Sequence, residues 1–174
     1  MFRPASSLLA TLLAVLFLAS PALAVDRAVL EAGQRAFGVG DYITARTVLQ
    51  PLVERGAREA EFIYGVMHLR GLGFAQNPAI GAIWFYKAAR KGEPGAQLVL
   101  GSQKLYGHGV RRNLVEAYMW LTLAVQSGAP EVVQQATTLR RDAQTRMGPG
   151  AIAEAERRAA DFTPRSDGLV STTP

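Results

Sequence analysis

The chain holds two histidines, His68 and His108, and no cysteine among its 174 residues. A hydrolytic or structural metal site draws on His, Cys or carboxylate ligands at close helical or loop spacing. No HExxH or comparable pair is present, and the missing thiols also remove disulfides, thiolate ligands and a cysteine nucleophile. A serine nucleophile needs a base in reach and an oxyanion hole. Ser102, Ser127, Ser166 and Ser171 lie in no Gly-x-Ser-x-Gly elbow. Gly71-Leu72-Gly73 and Gly107-His108-Gly109 lack the third glycine and the strand-to-helix setting of a phosphate loop. Glu59 and Glu61, like Glu154 and Glu156, are two residues apart, which on a helix sends them to different faces. No catalytic constellation forms, so no enzyme activity, metal or cofactor is expected.

What the chain has instead is a repeat. Ala60 to Gly92 lies over Ala96 to Gly128 without a gap at a separation of 36 residues. Ala60/Ala96, Gly65/Gly101, Leu69/Leu105, Gly71/Gly107, Gly73/Gly109, Asn77/Asn113, Trp84/Trp120, Ala88/Ala124 and Gly92/Gly128 are identical. One step further back Gly56 precedes Gly92, Asp41 takes the place of Asn77, and Leu52 that of Ala88. Residues 25–56 therefore read as a diverged first copy, followed by units at 57–92 and 93–128.

Each unit reads as a helix hairpin. Ala60, Tyr64 and Met67 give the first helix of the middle unit its apolar spacing, about Ala57 to Leu69. Gly71 and Gly73 end it, since glycine accepts the left-handed backbone that closes a helix. Asn77 caps the second helix, with Pro78 at a first-turn position where a missing N–H costs nothing. Ile80, Ile83, Trp84 and Lys87-Ala88 form its expected inward face. The next unit repeats this near Gly95 to Tyr106 and Leu114 to Ser127, with Asn113 as cap. Gly65 and Gly101 fall mid-helix, where glycine costs about 1 kcal/mol relative to alanine. Close approach of the partner helix explains them, with Trp84 or Trp120 expected over the gap. The repeat-locked spacing of those tryptophans makes them packing residues.

LRGLGFAQNPAIGAIWFYKAARKG and LYGHGVRRNLVEAYMWLTLAVQSG resemble the Sel-one-like repeat, a relative of the tetratricopeptide repeat. The first keeps Trp-Phe-Tyr-Lys-Ala-Ala-Arg-Lys-Gly but has Tyr64 for the family's leucine and Phe74 for its valine; the second keeps Leu100-Gly101 and Gly-x-Gly-Val. The resemblance implies an all-α solenoid of stacked hairpins that binds another protein. Similar exported members act as adaptors in cell-envelope assembly, polysaccharide export and signalling. Some cysteine-rich members have been assigned penicillin-binding or β-lactam-hydrolysing activity. That gives an alternative reading, an enzyme-like protein acting on cell-wall peptides, but those members link their repeats by disulfides.

The two ends read differently. Residues 1–24 open with Arg3, pass through an apolar run and finish at Ala22-Leu23-Ala24, the pattern of a secretory leader cleaved after Ala24. Export to the periplasm or beyond follows, with an uncleaved membrane-anchoring leader as the alternative. The apolar run is too short for a firm membrane span and no second one follows. A formal charge of +5 comes from scattered arginines and only three lysines, with no block suited to nucleic acid. Residues 129–162 read as a helical cap, through Val132, Ala136, Leu139 and Ala143 and then Ile152, Ala155, Ala159 and Phe162. Residues 163–174, rich in Ser, Thr, Pro and Gly, read as a disordered tail.

With no reactive site, function falls to a surface. In such solenoids the first helices line the concave side, which brings Glu59, Ile63, His68 and Arg70 beside Val99, Gln103, Lys104 and Tyr106. The family commonly has an aromatic where His68 and Lys104 stand, so this face is the expected contact for a partner protein of the cell envelope. Either those two polar residues recognise an acidic or carbonyl-rich ligand, or they are solvated groove wall. Self-association through an open hairpin face is a further expectation for so short an array.

Overall fold

The computed structural model describes residues 21–168. It contains helices and no strands among them: α1 (Pro21–Gly38), α2 (Tyr42–Arg55), α3 (Arg58–Arg70), α4 (Pro78–Ala89), α5 (Pro94–Tyr106), α6 (Leu114–Gln126), α7 (Pro130–Thr145) and α8 (Pro149–Ala160). The helices pair in order as α1–α2, α3–α4 and α5–α6. These hairpins stack through α2 on α3 and α4 on α5, and α6 packs against both α7 and α8. The result is a helical repeat solenoid. No helix among the described residues is long and apolar enough to cross a membrane. Of the expected leader, residues 1–20 lie outside the described residues and 21–24 form the start of α1.

The second helices begin where the caps dictate. Asp41 accepts from the Thr44 amide, Asn77 from the Ala79 and Ile80 amides, and Asn113 from the Glu116 amide, all at 3.1 Å. The Asn113 side-chain amide also donates to the Glu116 carboxylate at 3.1 Å. Each cap satisfies amides that a first helical turn would leave orphaned.

Packing follows the same repeat. A side chain on Gly65 would meet the Phe85 ring at 2.6 Å, and one on Gly101 would meet Leu121 at 2.7 Å. The fully buried Phe85 and Leu121 thus fill the gaps, rather than Trp84 and Trp120. The tryptophans stand one residue away, about 100° round the helix. In the first hairpin Gly33 faces Leu49 in the same manner. There the connection is three residues, 39–41, against seven at 71–77 and 107–113. That shortening shifts α1 by four residues against the 36-residue frame and leaves its contacts intact.

The inward face of α4 differs from expectation. Gly81, Ala82, Phe85, Ala88 and Ala89 are buried, whereas Ile80 and Ile83 are 38% and 56% exposed. The helix is apolar almost all round, so periodicity could not choose its face. Close approach to α3 did, by selecting small residues: a Cβ on Gly81 would lie 2.9 Å from the Gly65 carbonyl oxygen.

One charged pair is sealed inside. Lys91 donates to the Glu61 carboxylate and to the Gly56 carbonyl, both at 2.7 Å, and Glu61 is only 3% exposed. In the next unit the same positions are Gln97, which donates to the Ala89 carbonyl at 3.3 Å, and Ser127. Residues 163–168, expected to open a disordered tail, run back over the hairpin ends. The Arg165 amide donates to the Arg90 carbonyl, the Arg58 amide to Asp167, and the Gly168 amide to the Gly56 carbonyl. Backbone pairing and a buried carboxylate hold this segment despite its composition.

Candidate interaction site

The first-helix positions expected to form one contact surface differ in their surroundings. Ile63 and Gln103 are buried in the packing. Lys104 is bound to Glu116 of its own hairpin at 2.7 Å. The Tyr106 hydroxyl donates to Asp142 of α7 at 3.0 Å, and that bond, more than burial, raises its pKa. Arg70 is exposed at the end of α3. Glu59 stands at the rim of a groove of about 680 Å³ against α1, with Leu23, Ala24, Asp26, Arg27, Leu30 and Glu31. Two of its lining residues, Leu23 and Ala24, belong to the expected leader.

His68 turns toward its own hairpin loop and stacks on Phe74, ring centroids 4.0 Å apart and nearly parallel. Burial holds its pKa below the ordinary 6.5. The folded chain therefore resists a proton that the unfolded chain accepts, so stability falls as pH drops below about 6.5. His68→Phe keeps the stacked ring and removes the titration. Denaturant melts at pH 7.5 and pH 5 should show a smaller acid loss in the variant; equal losses would refute the assignment.

Gln103 occupies the repeat position of Met67, which is fully buried. Neither amide atom of Gln103 has a hydrogen-bond partner. A buried, unmatched amide costs about 1–3 kcal/mol. Gln103→Met should therefore stabilise the chain by about 1–2 kcal/mol and raise its melting temperature by about 3–6 °C. A lower melting temperature would contradict this.

A second groove, outside the expected contact face, lies between α2 and α4. It measures about 380 Å³ and is lined by Arg46, Gln50, Val53 and Glu54 of α2, with Tyr64, Phe74 and Trp84. Tyr64 meets Phe74 and Trp84 edge-on at 5.3 and 5.9 Å, and its hydroxyl donates to the Arg46 carbonyl at 2.7 Å. Arg46 lies over Phe74 and donates to the Gly73 carbonyl, and the Lys87 ammonium covers Trp84 at 4.0 Å. Aromatic rings flanked by fixed polar groups suit recognition of a protein side chain. The available signal was that two departures of this unit from the family pattern, Tyr64 and Phe74, are aromatic.

Among the described residues no group of His, Asp and Glu could hold a metal ion. The Sel1 repeat family model matches residues 58–93 and 94–128. No curated protein matches the chain. A protective antigen present in uropathogenic Escherichia coli strains, displaying an SLR fold, aligns at 24% identity with a TM-score of 0.69, over 78% of this chain and 29% of that one. A Sel1 repeat protein from Oxalobacter formigenes aligns at 23% identity with a TM-score of 0.56, over 76% and 60%. This chain thus spans less than two thirds of either structure, and the likeness is one of fold.

Proposed function

We propose that this chain, a Sel1-repeat protein, is an exported scaffold of the bacterial cell envelope that captures a partner protein on its repeat array. Sel1 repeats are protein-interaction modules, and the family is generally non-catalytic. The observation that carries the reading is the open groove between α2 and α4, which lies on the second-helix side of the array rather than on the expected concave face and holds no reactive groups. Arg70 and Tyr106, exposed at the ends of α3 and α5, widen the surface a partner could touch. The leader pattern of residues 1–24 supports export, with cleavage after Ala24.

Intact mass measurement of the protein recovered from cells should give a chain that starts at Val25. A chain starting at Met1 would replace secretion by membrane anchoring. In-cell crosslinking followed by mass spectrometry should then recover one envelope protein reproducibly. Recovery of peptidoglycan fragments alone would overturn the scaffold reading in favour of wall binding.

A further inference from the structure

The C-terminal segment shows what such a groove accepts. Shifting the α2–α4 groove by one repeat carries Val53, Glu54, Tyr64 and Trp84 onto Ala89, Arg90, Leu100 and Trp120. Phe162 stands there. Its ring meets Trp120 edge-on at 5.6 Å, and the Arg90 guanidinium lies over it at 5.9 Å. It packs against the cluster that contains Ala89 and Leu100. Just beyond, the Arg165 amide donates to the Arg90 carbonyl at 2.8 Å. This neighbouring groove is therefore filled by an aromatic side chain that follows a helix end and leads into a segment that is neither helix nor strand.

We infer that the open α2–α4 groove binds a phenylalanine or similar aromatic side chain of a partner protein, presented as Phe162 is presented to the neighbouring groove. This deepens the scaffold reading and rests on it. Tyr64, Phe74 and Trp84 line the open groove where its counterpart has Leu100, Val110 and Trp120. Glu54 replaces Arg90 at the rim, which favours a basic residue beside the incoming ring.

The chain's own segment supplies the probe: a fluorescein-labelled peptide of residues 156–168, ERRAADFTPRSDG, titrated into the full chain by fluorescence anisotropy. Saturable binding is expected, weakened at least about tenfold when the peptide phenylalanine becomes alanine. Gln50→Trp, at an exposed rim position, should block binding with an unchanged circular dichroism spectrum, and Trp84→Leu should weaken it. No saturable binding overturns the inference. So does binding that Gln50→Trp leaves untouched, which would place the peptide in the other groove. Binding that appears only after removal of residues 169–174 would make the chain's own end the occupant and also overturn it. A cellular partner captured equally by wild type and Gln50→Trp would leave the scaffold reading standing and sink this site alone.

Discussion

Gly109→Ala is expected to destabilise the chain by about 3 kcal/mol or more, a large share of a typical domain's stability of about 5–15 kcal/mol. Gly109 has φ +73°, where an added Cβ is strained by about 1–2 kcal/mol. That Cβ would also lie 2.7–2.8 Å from the carbonyl carbon, carbonyl oxygen and Cβ of Pro78. Backbone at a capped helix start cannot rotate aside, so the α5–α6 hairpin must lift off α4, and overpacking of this kind adds about 1–3 kcal/mol. Gly73 makes the same approach to Tyr42, 2.9 Å from its carbonyl oxygen, and should behave alike. Gly128→Ala is the control: it shares φ +73° but has nothing within 4 Å, so only the backbone strain remains. Urea unfolding of both variants separates the two costs. Equal losses would show that the glycine turn does not hold hairpin to hairpin.

Lys91→Met should cost about 3–5 kcal/mol, because it leaves the Glu61 carboxylate buried without its cation. The Gly56 carbonyl loses its donor in the same step. The charge pair itself is not required by the repeat, since the next unit has the neutral Gln97 and Ser127 at the same positions. Glu61→Gln with Lys91→Ser should therefore recover most of the loss, a coupling measurable in a double-mutant cycle. A double variant as unstable as Lys91→Met alone would show that the pair, rather than the uncompensated carboxylate, carries the stability.

Much of the fold was legible because local chemistry and the 36-residue period agree. Asp41, Asn77 and Asn113 mark the second helices by a cap that needs no tertiary context. Gly65 and Gly101 announce a close helix approach, but the residue that fills it depends on the rotation of the second helix, and that proved to be Phe85 and Leu121. The four-residue shortening before α2 hid the register of the first hairpin. The contact of Gly33 with Leu49 restores it.

The site was harder to read. Tyr64 and Phe74 stand out singly as departures from the family pattern, ten residues apart and in different elements. Only the folded hairpin brings them to Trp84 and leaves the groove against α2 open. His68 and Lys104 looked like a matched polar pair on one face because the repeat aligns them. Each is instead occupied within its own hairpin, by Phe74 and by Glu116.

The claim that this array is a protein-binding surface is tested most directly by site-specific photo-crosslinking in cells. A benzophenone side chain at position 50, on the rim of the open groove, is compared with one at position 141, exposed on α7. The account predicts one reproducible protein adduct from position 50 and none from position 141. No protein adduct from position 50, or the same products from both positions, would contradict it.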